Sequence, residues 1–467
     1  MRRAFAVLPA LALPVLALSG CSLAPKYVRE APPVPAAWPS GPAYRAQDQA
    51  SLPAVSWREV LTDPRLQTLI DQALVNNRDL RVAAANLAAA RARVAVSRGA
   101  QWPELGIGAG VTRRSTDSGG PVTGWSAAGG VSAFELDLFG RLANATRAQQ
   151  ETALATEAAA RTVRLGLVAD LADAWAARAA DAELLRIAGD TAAAARRSVE
   201  LNRALLAGGV APRSDLAQAE QILATAEADV AAQTTALAQD RNLIELLVGA
   251  PVDPALLPAS LTEVAASVHA VAAGTSTEVL LRRPDVIAAE YRLRAAHADV
   301  GVARAELFPR LTLTALLGLG ANSFEGLFSP GALTSTLGAN ASHALFSGGG
   351  ARAKVRVSEA QRQAALASWE KAVQTAFREV ADALARQGTM ASELAAVQRR
   401  TAAAADSARL VAAQYRGGVA SSLENLDAQR SLYAAQRSGV ATALASLRSR
   451  ITLYRVLGAD QLAPPQS

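Results

Sequence analysis

Apolar positions along this chain change period in a fixed order, and the order occurs twice. Over residues 64 to 99, and again over 276 to 307, alanine-rich sequence sets apolar residues three and four apart, the spacing of a helix. Each stretch stops at an aromatic residue followed by proline. The period then falls to two. In Leu105-Gly106-Ile107-Gly108-Ala109-Gly110-Val111-Thr112 the odd positions are apolar and the even ones small or polar, and Leu311-Thr312-Leu313-Thr314-Ala315 repeats the pattern. Loops rich in glycine, serine and proline are expected at 113 to 124 and 321 to 332, with weaker alternating runs at 125 to 138 and 333 to 345. Each copy therefore predicts a strand pair.

A long helix follows in each copy, from about Arg141 to Ala207 and from about Ala351 to Arg416. Its apolar positions include Trp369, Val373, Ala376, Val380 and Leu384, and no proline interrupts either stretch. At 1.5 Å per residue each helix runs roughly 100 Å. Gly166, Gly189 and Gly388 each cost about 1 kcal/mol against alanine and mark places for local bends. A Gly-Gly pair should stop each helix in a left-handed cap. Return helices are expected at about 212 to 248 and 421 to 456, where Leu216, Leu223, Val230, Leu237 and Ile244 recur every seventh residue. Leu426, Tyr433, Val440, Leu447 and Tyr454 do the same in the second copy. That spacing is a coiled-coil seam, and Ala219 and Ala226 beside it allow close approach.

Aligning the copies puts Asp79 on Asp285 and Pro103 on Pro309 at an offset of 206. Leu136-Asp137-Leu138-Phe139-Gly140 falls over His343-Ala344-Leu345-Phe346-Ser347 at 207, and Gly208-Gly209-Val210 over Gly417-Gly418-Val419 at 209. The expected organisation is a signal peptide at 1–20, an N-terminal segment at 21–56, a first repeat at 57–249, a linker at 250–275, a second repeat at 276–457 and a tail at 458–467. The proline-rich linkers should pack around the middle of the helices.

Composition narrows the classes. Apolar residues make up 51% of the chain but aromatics only 4%, which suits long, closely packed helices. The charge of +6 comes from scattered arginine rather than a basic block, so no nucleic-acid footprint is present. Arg2 and Arg3 followed by the apolar run Ala4 to Leu18 read as an export signal. Leu18-Ser19-Gly20-Cys21 then places the one cysteine where a bacterial lipobox has it, which predicts lipidation of Cys21 and an anchor in outer-membrane lipid. No later run is apolar and long enough for a transmembrane helix, so any spanning falls to strands. Four strands per chain cannot close a barrel, which takes about eight, so subunits must pool them. Enzyme chemistry finds no support and no cofactor is expected: His269, His297 and His343 lack partners at metal-ligand spacing, and Gly348 to Gly350 lack the lysine of a phosphate loop.

The chain resembles the TolC and OprM type of outer-membrane efflux factors, in the lipidated NodT-like branch. The resemblance is carried by Gly20-Cys21-Ser22-Leu23-Ala24-Pro25 with Tyr27, by Arg282-Arg283-Pro284-Asp285-Val286, by Ala303-Arg304-Ala305-Glu306-Leu307-Phe308-Pro309, and by Phe134-Glu135-Leu136-Asp137-Leu138-Phe139-Gly140-Arg141. It implies a mainly helical fold with a membrane β-barrel, as a homotrimer forming a twelve-stranded barrel and a periplasmic helical barrel. The implied function is the outer-membrane channel of a tripartite multidrug pump, with a periplasmic adaptor and an inner-membrane resistance-nodulation-division transporter as partners. Heavy-metal cation efflux and type I secretion fit the same fold, and a trimeric adhesin shares its helices and strands but not its two hairpins. Adaptor contacts are expected at Gly208, Gly209, Val210, Gly417, Gly418 and Val419. By resemblance a gate falls at Glu424 and Asp427, aided by Tyr415, although Ser421-Ser422-Leu423-Glu424 also has capping-box spacing. One departure is Ser347-Gly348-Gly349-Gly350, where the family pattern has an aspartate.

Overall fold

The computed structural model describes residues 22–45, 56–116, 119–271, 273–274 and 276–458. The signal peptide and Cys21, together with most of the C-terminal tail, lie outside the described residues. In chain order the elements are α1 (Trp57–Val60), α2 (Pro64–Asn76), α3 (Arg78–Gly99), β1 (Leu105–Thr116), β2 (Gly119–Leu136), α4 (Arg141–Ala207) and α5 (Arg213–Val248). After them come α6 (Leu261–Ser267), α7 (Pro284–Ala305), β3 (Arg310–Ala321), β4 (Leu333–Ser342), α8 (Gly350–Arg416) and α9 (Ser422–Leu457). Among the described residues no helix is long and apolar enough to cross a membrane.

Three expectations are corrected. The stretch 64–99 is two helices, because Asn77 breaks it: its side-chain oxygen accepts from the Leu80 amide while its Nδ2 donates to the Leu247 carbonyl. The stretch 276–307 opens as a 3₁₀ turn, Thr277–Arg282, and becomes α-helical only at Pro284, whose fixed φ suits the first helical position. The loop expected at 113–124 is mostly strand. Thr112 to Arg114 pair with Val122 to Gly124, and the register shifts between Arg114 and Thr116, opposite the segment where Pro121 has no N–H to donate.

The packing units cut across the repeats. Of the described residues, one takes those through Pro32 with those of Ala85–Ala158 and Ile287–Lys371; the other takes those of Pro33–Ala84 and Ala159–Val286 and those from Ala372 onward.

The first unit holds a four-stranded antiparallel sheet in the order β1-β2-β3-β4. Register puts Leu105, Ile107, Val111, Trp125, Leu317, Leu319, Leu333 and Leu337 on one face, and Gly108, Gly110, Ser126, Gly318, Gly320, Thr334 and Thr336 on the other. Alternation thus gives the sheet an apolar face and a face of small, polar residues. Both edge strands, β1 and β4, are exposed. Helix α4 starts under a side-chain cap, with the Ala143 amide donating to Asp137 at 2.8 Å. In the second copy alanine replaces that aspartate, and α8 starts instead from Gly348 and Gly349, both at positive φ.

The same unit contains the described N-terminal segment as far as Pro32, the rest of that segment belonging to the second unit. Ser22 donates to Asn144, and Tyr27 and Arg29 reach Glu290 on α7 at 2.9 and 2.7 Å, joined there by Arg294 at 2.6 Å. Glu290 is 4% exposed. Burial works against its charge, but the hydrogen bonds from Arg29, Arg294 and Tyr27 prevail and hold its carboxyl below the ordinary value.

In the second unit the core follows the mid-portions of the long helices. Trp175 and Tyr454 are fully buried, and the Trp175 indole donates to the Leu256 carbonyl in the linker, which satisfies the one polar atom of that ring. Trp38 of the N-terminal segment stacks on Phe377 at 5.5 Å. Gly388, read from sequence as a bend site, has a packing role, because a Cβ there would overlap the carbonyl oxygen of Ala43. Arg283 is buried and divides its guanidinium among Asp285, Glu379 and the Val456 carbonyl, each at 2.7 Å. In the first return helix Ala219 and Ala226 beside the seam are fully buried, as are Ile244 of the seam and Val248, whereas Leu216, Leu223, Val230 and Leu237 are half-buried.

Candidate functional site

All residues proposed for docking and gating belong to the second unit, at the turns that close its two long hairpins. Helix α4 ends at Ala207, after which the Gly209 amide donates to the Leu206 carbonyl at 3.0 Å and the Val210 amide to the Leu205 carbonyl at 2.9 Å. Gly418 and Val419 repeat both bonds onto Tyr415 and Gln414 at 3.1 and 2.9 Å. This is the Schellman arrangement, and it demands a left-handed residue at its second position, met by Gly209 at φ 72° and Gly418 at φ 74°. Capping uses only backbone atoms here. The valines that follow are left pointing into solvent, Val210 at 76% and Val419 at 80% exposure.

The two return helices start differently. Pro212 precedes α5 and gives it no side-chain cap. Ser421 precedes α9 within a complete capping box: its hydroxyl accepts from the Glu424 amide at 3.2 Å, and the Glu424 carboxylate accepts from the Ser421 amide at 2.7 Å. The Ser421 amide, together with the Ser421 hydroxyl donating to the same carboxylate oxygen at 3.0 Å, holds the Glu424 carboxyl below its ordinary value, so it stays ionised. Asp427, one turn on, pairs with Arg430 at 2.5 Å on the same exposed face. Tyr415 is half-buried in the last turn of α8.

Packing brings the hairpins together just behind these turns. Val199 of α4, Ala219 of α5 and Leu426 of α9 form a buried cluster with Leu216, Ile222 and Leu223 against it. The Ser422 hydroxyl donates to Asn202 of α4, itself 2% exposed. Farther along, Asp229 of α5 accepts from Tyr433 at 2.6 Å and from Arg437 at 3.0 Å, both on α9. Asp427 and Arg430 line a groove of about 260 Å³ between α5 and α9, facing Gln218 and Gln221.

Arg430 and Asp229 were not singled out from sequence. Arg430 lies three residues after Asp427, a spacing that permits an ion pair, whereas Asp229 and Tyr433 are 204 residues apart and meet only through the fold. A second such pair is Asp181 of α4 and Asp240 of α5, where burial and the Asp181 charge push Asp240 up to about 6. Among the described residues no group of three His, Cys, Asp or Glu side chains could hold a metal ion.

The sequence pattern of the family described as outer membrane efflux protein matches residues 69–250 and 275–459, one match for each copy. The toluene efflux pump outer membrane protein TtgC of Pseudomonas putida is 38% identical over 457 residues, covering 96% of this chain and 94% of that protein. The outer membrane protein OprJ of Pseudomonas aeruginosa is 34% identical over 450 residues, covering 95% and 94%. Among solved structures, a membrane protein from Pseudomonas aeruginosa superposes with a TM-score of 0.86 at 32% identity over 94% of this chain and all of that one. The open state of the Neisseria gonorrhoeae MtrE outer membrane channel gives 0.84 at 29% identity over 94% and 98%. With both copies matched and relatives alike along nearly their whole length, the chain belongs to the outer membrane efflux protein family.

Proposed function

We propose that the chain works as the outer-membrane channel of a tripartite pump that expels small toxic organic compounds from the periplasm. The observation that carries this reading is a sheet with two unlike faces and two open edges, joined in one chain to long helical hairpins, in a member of the efflux family. An open edge in lipid strands backbone N–H and C=O groups without partners, so the sheet must close with other copies. Three copies of the four-stranded sheet give a twelve-stranded barrel, its apolar face toward lipid and its glycine and threonine face toward the lumen. Strand β1 has 12 residues, roughly 40 Å, which at a tilt of about 40° spans an apolar band of about 25 Å.

The partners in this reading are a periplasmic adaptor, docked at the Gly-Gly-Val turns, and an inner-membrane proton-driven transporter that supplies energy. The acids after the second turn form the gate. Its test is complementation: in a host stripped of its own channel but retaining adaptor and transporter, the chain should restore export of a fluorescent dye and tolerance to toluene. Restored tolerance to metal cations alone would refute the choice of cargo.

A lipid on Cys21 is the second anchor. A palmitate analogue should label the wild type and not Cys21→Ala, while the variant keeps partial transport because the strands also hold it in the membrane. Label retained by Cys21→Ala would rule out the anchor.

A further inference from the structure

We propose that neighbouring subunits are clamped where strands join helices by Phe346 of one protomer stacked on Trp102 of the next, reproducing between chains a stack that each chain already makes internally. The proposal rests on the reading that subunits pool their strands.

The internal stack lies at the junction between the two copies. There β2, from the first copy, pairs with β3, from the second. Phe139, three residues beyond β2, stacks on Phe308, two residues before β3, with ring centroids 4.5 Å apart and planes 18° from parallel. Around it residues 134 to 140 are all half-buried.

A second junction of the same kind is missing its partner. It would join β4, from the second copy, to β1, from the first, and these are the two open edges of the sheet. Each strand in the order runs antiparallel to its neighbour, so β4 opposes β1 in direction as β2 opposes β3. The offsets of 207 and 206 carry Phe139 to Phe346 and Phe308 to Trp102. Both counterparts are bare in the single chain: Phe346 is 89% exposed and Trp102 72%, against 40% for Phe308, and Leu345 beside Phe346 reaches 95%. Residues 341 to 350 are exposed without exception, where the equivalent residues 134 to 142 of the first copy are half-buried or buried. Apolar rings of this size left in water at one copy and stacked at the other call for a second copy of this chain.

The repeat also fixes the register. The pairs Leu136 with Leu311 and Phe134 with Leu313 carry over to His343 with Leu105 and Ala341 with Ile107. Strand parity supports this assignment independently, because Ala341 and Ile107 both fall on the apolar face of the sheet.

The test uses the purified full-length chain, first weighed by native mass spectrometry. Ala341→Cys combined with Ile107→Cys should give a disulfide-linked trimer on mild oxidation, since directly opposed Cβ atoms lie about 4.5–5.5 Å apart. Ala341→Cys with Gly108→Cys, which points to the opposite face, should give none. Phe346→Ala and Trp102→Ala should each lower the temperature at which the trimer dissociates in detergent, and the double variant should fall no further than the worse single one. A trimer without the Ala341 and Ile107 crosslink, or with the two alanine losses adding up, overturns the proposal. A monomeric mass overturns instead the pooling of strands on which it rests.

Discussion

Gly209→Arg and Gly418→Arg are each expected to reduce efflux to the level of a strain without the channel, while the protein still assembles. Their local cost is small. A side chain at positive φ costs about 1–2 kcal/mol, and an added Cβ at either glycine meets nothing within 4 Å, so no neighbour has to move. Gly388 marks the contrast, because there the added carbon meets the Ala43 backbone and the fold itself suffers. At the turns the effect is on recognition. Each Gly-Gly pair ends a helix of 67 residues, and the backbone bonds that cap it leave Val210 and Val419 as bare apolar surface for a partner. A guanidinium placed between cap and valine would have to be desolvated in any apolar contact, at several kcal/mol when unpaired. Asparagine tolerates the left-handed region best after glycine, so Gly209→Asn and Gly418→Asn should keep most transport. Dye accumulation reads the loss, native mass reads assembly, and photocrosslinkers at Val210 and Val419 should capture the adaptor. Full transport by the arginine variants, or crosslinkers that never capture it, would remove the turns from the docking surface.

How much was legible in advance depended on whether a signal was local. The long helices, Arg141–Ala207 and Gly350–Arg416, lie where proline-free apolar spacing put them, because a helix of that length imposes its period on dozens of residues. Asn77 was missed as a break, since asparagine can cap a helix or sit inside one, and the second bond that fixes it here, from its amide to the Leu247 carbonyl, spans 170 residues. Composition misled at 113–124, where glycine and proline suggested a loop but ladder pairing carries both strands to the turn. Gly388 could not be read correctly from sequence, because its reason lies some 345 residues away at Ala43. At the candidate gate the spacing of Glu424 and Asp427 was visible, and so was the capping box. That Asp427 holds Arg430, and that Tyr433 ties the helix to Asp229, required the two return helices to be in place.

Glu424→Gln with Asp427→Asn is expected to reverse the ion preference of the channel, and Arg430 is the reason. Each protomer brings two carboxylates and one guanidinium to this face of α9, a net charge of −1, and removing both acids leaves +1. A ring of such groups around a narrow pore selects by its sign. Charge in a wide lumen would be screened within about 8 Å at physiological salt, so an effect that persists at that salt places the groups at a constriction. The substitutions spare the structure. Glutamine serves a capping box as glutamate does, so the start of α9 is retained. The Asp427 to Arg430 pair is exposed, at 57% and 74%, and contributes at most about 1 kcal/mol. Because hydrogen bonds from Ser421 keep the Glu424 carboxyl ionised below the usual range, the cation preference of the wild type should persist into mild acid. Reversal potentials of single trimers in a planar bilayer are the measurement, with block by multivalent cations as a second reading. The double variant should favour anions and lose the block, and adding Arg430→Gln should bring selectivity close to neutral. Tyr415→Phe, beside the same turn, should leave selectivity alone and raise the fraction of time the pore is open. If selectivity and block stay as in the wild type, Glu424 and Asp427 do not face the pore, and capping and the surface ion pair are the whole of their role.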